Sequence, residues 1–195
     1  MTTKPIIRCS SLPQLLACPG SRVLIDRINP IARDEKASQE GVWCHQRVAE
    51  RLIKEEEATG TMMPAKVNDY KPSPFAFWMA DFAFDAVTID LGPEWALFVE
   101  QDLRWEFEHF ILTGHPDVVA LHPDCMAKVW DFKFGAVPVE IAEYNEQLVG
   151  YFALLALTQP QNIHEISAYI LQPRNDEEGD SPRVSTVTVT GRDAI

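Results

Sequence analysis

The residues of this chain with chemistry to offer gather between positions 114 and 133. Gly114-His115-Pro116-Asp117 opens an apolar run that continues to Leu121. A second run, Ala127 to Phe134, carries Trp130-Asp131-Phe132-Lys133. His122-Pro123-Asp124-Cys125 between them reads as a turn, so the two runs predict a β-hairpin. Side chains alternate faces along a strand, which puts Asp131 and Lys133 on one face and Trp130 and Phe132 on the other. In the right register Asp117 approaches Asp131 across the hairpin. Two carboxylates and an ammonium then project together. Hard divalent cations bind through one or two carboxylates plus waters and substrate phosphates. A lysine beside such a cation orients a water or neutralises phosphate charge. Together these parts serve metal-assisted phosphodiester hydrolysis. An Asp-X-Lys triplet alone is equally the mark of a surface hairpin whose charges pair weakly, so the rest of the chain has to decide.

At 195 residues and 46% hydrophobic content the chain suits one domain, 1–195, with a sizeable core. No apolar run reaches the length of a membrane span. The start, Met1-Thr2-Thr3-Lys4-Pro5, has no signal-peptide core, and a cytoplasmic protein is expected. Cys9, Cys18, Cys44 and Cys125 form no Cys-x-x-Cys pair, which argues against a zinc ribbon and for free thiols. A net charge of −12 argues against a generic nucleic-acid binder, whose footprint is basic. Part of that charge sits in the clusters Glu55-Glu56-Glu57 and Asp176-Glu177-Glu178-Gly179-Asp180, read as solvated loops or helix ends. Metal-binding carboxylates also count as negative until a cation arrives. A homo-oligomeric ring around DNA would compensate for a poor basic surface.

Along the chain, residues 10–18 read as a short helix with Ser11 as N-cap, Pro13 in its first turn and Pro19-Gly20 as its stop. Cys18 is expected to be a small buried residue. Residues 29–37 read as loop. A helix over 38–55 carries Val42, His45, Ala49, Leu52 and Ile53 on one face. On that face His45 is either a satisfied core histidine or an imidazole completing a metal shell with Asp117 and Asp131. Gly41 would leave room for a close approach. Glu40 and Glu50 read as surface carboxylates or as ligands for a second metal. Residues 59–74 form an irregular connection. The aromatic run Phe75, Phe77, Trp78, Phe82 and Phe84 reads as a core helix over 75–89, with base stacking as the alternative. Residues 95–99 and 103–107 read as one strand holding Glu100. It returns through Phe110-Ile111-Leu112 to the hairpin, giving a three-stranded antiparallel meander. A buried helix follows over 142–158, with Gln147 and Tyr151 on one face. Strands over 165–171 and 183–190 complete the sheet, the first after a crossover helix. The chain ends soon afterwards at Ile195, which suggests truncation at the C-terminus.

This order resembles the RecB-type branch of the PD-(D/E)XK nuclease superfamily. The motifs are Gly41-x-x-x-His45 on a helix, Gly114-x-x-Asp117, Asp131-Phe132-Lys133 on a strand, and Gln147-x-x-x-Tyr151 on a helix. The stretches Glu40-Gly41 to His45, Val99-Glu100-Gln101, and Asp131 through Gln147 are similar to a phage and prophage family of RecB-like exonucleases. The resemblance covers about residues 8–174. It implies an α+β fold with a restriction-endonuclease-like core, a central mixed sheet flanked by helices. It also implies that His45, Asp117, Asp131 and the Phe132 backbone carbonyl ligate Mg²⁺ or Mn²⁺. Lys133 would position the attacking water, and Gln147 and Tyr151 would orient the site or contact DNA. Glu100 and Glu50 are candidates for a second metal or an outer shell. Relatives with an iron–sulfur cluster carry three late cysteines that this chain lacks, so no cluster is expected. The expected partners are DNA and a phage recombination or single-strand-binding protein. The expected activity is exonucleolytic more than endonucleolytic. Two other readings stand beside it: a catalytically weak DNA-binding or assembly protein on the same fold, and an acidic phage protein acting on a host protein.

Overall fold

Alternation of apolar residues with period two, interrupted by helical stretches, builds two mixed sheets with helices against them. The computed structural model describes residues 4–18, 35–55, 59–60, 70–89, 91–135, 137–159, 162–174 and 182–190. The expected stop at Pro19-Gly20, the loop over 29–34, most of the 59–74 connection, Glu56-Glu57, the 176–180 cluster and the chain end lie outside the described residues.

In chain order the elements are β1 (Ile6–Arg8), α1 (Leu12–Ala17), α2 (Glu35–Glu55), β2 (Thr59–Gly60), α3 (Pro74–Thr88), β3 (Ala96–Val99), β4 (Leu103–Glu106), β5 (Ile111–Gly114), β6 (Val118–His122), β7 (Met126–Phe132), α4 (Glu146–Thr158), β8 (Glu165–Gln172) and β9 (Arg183–Thr190). Short 3₁₀ turns, Cys9–Ser11 and Ala142–Tyr144, precede α1 and α4. The larger sheet has the order β2-β3-β6-β7-β8-β9, the smaller β1-β5-β4.

The expected hairpin is present. Val118 pairs with Trp130 and His122 with Met126, around a three-residue loop whose Cys125 has φ 61°. A left-handed residue closing a three-residue loop is a standard hairpin geometry. β8 lies parallel to β7 after the α4 crossover, as expected of such a connection. The two faces of the hairpin divide the core. Val118, Ala120, Trp130 and Phe132 pack with α2 and α3. Val119, Leu121, Ala127 and Val129 pack with α4 and β8.

The expected meander is corrected. Glu100 has φ 51°, a left-handed backbone that breaks the strand. β3 therefore pairs with β6 in the larger sheet, whereas β4 turns away to pair with β5 in the smaller. Five further expectations change. α2 begins at Glu35, inside the predicted loop. Ser11 makes no side-chain cap bond and Cys18 is exposed. In α3 the buried stripe is Ala76, Met79, Ala80, Ala83, Phe84 and Val87, which leaves Phe75, Phe77 and Trp78 exposed. α4 buries Leu148, Tyr151, Phe152, Leu154 and Leu155, while Val149 and Leu157 face outward.

Candidate metal centre

The strand ends dictate where the functional side chains meet. β3 runs antiparallel to β6, β6 antiparallel to β7, and β7 parallel to β8. The last residues of β3 and β7 and the first of β6 thus lie at one end of the larger sheet. Glu100, Asp117 and Lys133 directly flank those strands. α2 supplies His45 from one face of the sheet and α4 supplies Gln147 and Tyr151 from the other.

Asp117 is the hinge of the arrangement. Its backbone oxygen accepts the Glu100 N–H at 2.9 Å, which ties the break after β3 to the start of β6. Its Oδ2 accepts the Phe132 N–H at 2.5 Å, and its Oδ1 lies 2.9 Å from His45 Nδ1. His45, Glu100 and Asp117 can each present one donor atom such that all three lie within 4.8 Å of one another. A nitrogen and two carboxylate oxygens at that spacing form a donor set that Mg²⁺ or Mn²⁺ accepts.

Asp131 stands beside this set, engaged elsewhere. Its Oδ2 faces Lys133 Nζ at 2.6 Å and its Oδ1 accepts from Gln147 Nε2 at 2.9 Å. Gln147 Oε1 accepts from Lys133 Nζ at 3.2 Å, so one amide grips both members of the Asp-X-Lys motif. The same Nε2 donates to the Tyr151 hydroxyl at 2.6 Å, and that hydroxyl donates to the His115 carbonyl at 3.0 Å. Asn145 caps α4 by accepting the Gln147 and Leu148 N–H groups, which fixes Gln147 in the first turn.

The electrostatics are those of a crowded acidic site. Burial, with Asp117 adding to it, pushes Glu100 up to about 7. Burial raises Asp131 well above the ordinary carboxylate range, and Lys133 opposes that rise. Burial acts to lower His45, but the Asp117, Glu100 and Asp131 carboxylates together outweigh it and the imidazole is raised above its usual value. Tyr151 is raised by burial and by Asp131, so its hydroxyl stays protonated. A cation would relieve the mutual repulsion of Glu100, Asp117 and Asp131, and in that sense the residues fit a divalent metal.

His45, Asp117, Asp131, Lys133, Gln147 and Tyr151 are thus all brought to one place. Phe132 contributes its amide to Asp117 there. Glu100, weighed in the sequence for a second metal or an outer shell, enters the three-donor cluster itself. Its sequence signal was an acidic residue directly after the apolar run Trp95–Val99, while the break that turns it into the site was not visible. Glu50 instead accepts from Gln46 one turn back on α2. Glu40 is buried and saturated, with Oε1 on Arg174 and Oε2 accepting from Tyr70 at 3.0 Å and Ser73 at 3.2 Å. Among the described residues neither belongs to the three-donor cluster. The room expected at Gly41 is ordinary: a Cβ there would meet only Phe134 Cβ, at 3.9 Å. The close approach is at Gly114, where a Cβ would meet the Tyr151 ring at 2.9 Å and Cys9 Sγ at 3.0 Å.

Sheet, helices and site together define an α+β protein with a candidate acidic metal centre at one sheet end. The chain belongs to the family described as Protein of unknown function (DUF2800), which matches residues 6–190. No curated protein matches it. Among solved structures it is similar to one described as "Crystal structure of SSO0001", at 11% identity and a TM-score of 0.33, covering 92% of this chain and 77% of that one. Among the described residues no helix is long and apolar enough to cross a membrane.

Proposed function

We propose that this chain is a Mg²⁺- or Mn²⁺-dependent deoxyribonuclease of the RecB-type PD-(D/E)XK class, working on DNA ends in recombination, replication or repair. The observation that carries this reading is the grip of Gln147 on Asp131 and Lys133, beside the His45, Glu100 and Asp117 donors. A free surface hairpin has no reason to bring a lysine, two carboxylates and a helix amide into one buried network.

His45, Glu100 and Asp117 would hold the cation, with Asp131 and the Phe132 carbonyl as further donors. When bound, it supplies Lewis acidity toward phosphate and a more acidic water. Lys133 holds its ammonium between Asp131 and Gln147, where it can orient the attacking water and meet charge developing on the phosphate. Gln147 keeps that ammonium in place, and Tyr151 keeps Gln147 in place through its bond to the His115 carbonyl. On this reading the protein works in the cytoplasm beside a phage recombination or single-strand-binding protein.

The test is cleavage of labelled linear and circular DNA, single- and double-stranded, with Mg²⁺ or Mn²⁺. Wild type is compared with Lys133→Ala and Asp117→Ala, with folding checked by circular dichroism. Metal-dependent cleavage is expected in the wild type and lost in both variants, and resistance of the circular substrate marks an exonuclease. A folded wild type that takes up Mn²⁺ but cuts nothing would overturn the reading in favour of a binding or assembly role.

A further inference from the structure

A second feature lies beside this network. A cleft of about 540 Å³ has Gln147 and Tyr151 in its wall, together with Arg8, Ser10, Thr113 and His115. Arg8 pairs in register with Thr113 on one side of β5, and Arg104 pairs with Thr113 on the other. Register partners share a sheet face, so Arg8, Thr113 and Arg104 form one row across the smaller sheet. Leu112, the neighbour of Thr113, enters the core, so the row faces away from it. Both arginines are exposed.

Two acidic groups share that face. Asp102, which also lines the cleft, lies 3.2 Å from His115 Nε2, and Glu106 lies 2.8 Å from Lys4 Nζ. Among the described residues neither the Arg8 nor the Arg104 guanidinium makes a hydrogen bond or a close ion pair, and Arg104 acts on the Glu106 carboxylate only through space. On a chain of net charge −12, two exposed guanidiniums in one row beside a cleft that ends at Gln147 suit an anionic ligand. The planar guanidinium fork suits phosphate, and the Ser10 and Thr113 hydroxyls add donors.

We infer that the Arg8–Thr113–Arg104 row and the adjoining cleft bind non-scissile phosphates of a nucleic-acid strand and lead that strand to the Lys133 end of the metal centre. The inference rests on the nuclease reading for the strand's destination, but its residues lie outside the metal centre. The phosphate can be an internal diester or a terminal monoester.

The experiment is fluorescence anisotropy with full-length Lys133→Ala protein loaded with Mn²⁺, at several salt concentrations. The probes are three single-stranded oligonucleotides: linear with a 5′-phosphate, linear with a 5′-hydroxyl, and circular. Arg8→Ala and Arg104→Ala are each added to that background, and Mn²⁺ affinity is measured by calorimetry. Each arginine variant is expected to bind about tenfold more weakly, with the salt slope reduced by about 0.7 for each single-strand phosphate lost. Mn²⁺ affinity and melting temperature stay unchanged. Equal loss on all three probes assigns internal phosphates, and loss confined to the 5′-phosphorylated probe assigns a terminal one. Unchanged strand affinity and salt slope in both variants overturn the inference even if the wild type proves to be a nuclease, and so does a parent protein that binds none of the probes. Failure of Asp117→Ala to alter Mn²⁺ binding or cleavage would instead count against the nuclease reading itself.

Discussion

His45 Nδ1 and Asp117 Oδ1 lie 2.9 Å apart, joining a helix on one face of the sheet to a strand end. Without a cation, the imidazole is the titratable group that answers the Asp117 charge. This makes the metal-free protein sensitive to pH. Glu100 is held up to about 7 by burial and Asp117, so between its ordinary 4.5 and about 7 the folded state binds the extra proton. Stability from that carboxyl is therefore lost as pH rises through this window. His45 is also raised, so its contribution is present at low pH and lost on the alkaline side as well. The metal-free melting temperature should fall between pH 5 and pH 8, and the increment given by saturating Mn²⁺ should grow over the same range. Thermal melts with EDTA and with Mn²⁺ check this, and a pH-independent Mn²⁺ increment would contradict it.

Glu100→Gln isolates the same group. The amide keeps the side-chain shape and the left-handed backbone while removing the charge. At pH 8 the metal-free variant should be more stable than wild type by about 2 kcal/mol, after allowance for partial solvent screening. That corresponds to about 4–8 °C in melting temperature. With Mn²⁺ present the order should reverse, because an anionic donor has become a neutral one. A variant equal to wild type in both conditions would remove Glu100 from the site.

Lys133→Ala addresses chemistry rather than metal binding. Lys133 Nζ touches Asp131 and Gln147 and is not among the three clustered donors. Loss of a preorganised cation of this kind should lower kcat by about 10²–10³. Mn²⁺ affinity should be equal or tighter, because a competing positive charge has left. Calorimetry and initial rates on one preparation separate the two, and parallel loss of metal and activity would assign Lys133 a merely structural role.

Gly114 and Gly41 give opposite outcomes for the same substitution. An alanine Cβ at Gly114 collides with the Tyr151 ring and Cys9 Sγ, and displacing Tyr151 disturbs the Gln147 amide that it holds. Gly114→Ala should cost about 1–3 kcal/mol and lower activity further than stability alone explains. At Gly41 the new methyl meets only an ordinary contact, inside α2. Gly41→Ala should stabilise the protein by up to about 1 kcal/mol through helix propensity. Denaturant midpoints for the two variants test the contrast.

What the sequence made legible was local. The β6–β7 hairpin follows from two apolar runs around a Pro-Asp turn, and α4 from apolar residues and the Gln147–Tyr151 spacing. His45 was visible as a polar residue on an apolar helix stripe. The break at Glu100 was not, because the β-type runs Ala96–Val99 and Leu103–Trp105 flank only three polar residues and nothing at Glu100 demands a positive φ. The smaller sheet was hidden for the same reason. Its register brings Arg8 against Thr113, a pairing across more than a hundred positions that no periodicity encodes. The roles of Glu40 and Glu50 were equally open until their partners, Arg174 and Gln46, were in place.

Arg174 and Glu40 supply the last prediction. Their ion pair joins the end of β8 to α2, with side chains 21% and 10% exposed. Tyr70 and Ser73 complete the Glu40 carboxylate, and Ser73 also caps α3. Removing one partner strands a buried charge, so Arg174→Ala should cost about 3–5 kcal/mol. Replacing the pair by apolar residues of similar volume often costs little. The double variant Glu40→Leu with Arg174→Met should therefore recover most of the loss, less the hydrogen bonds left open on Tyr70 and Ser73. α2 also carries His45, so Arg174→Ala should weaken Mn²⁺ binding at temperatures where the double variant binds normally. Equilibrium denaturation of the wild type, the single variant and the double variant, each with and without Mn²⁺, measures both effects. A single variant as stable as wild type would show that Tyr70 and Ser73 alone suffice to hold Glu40.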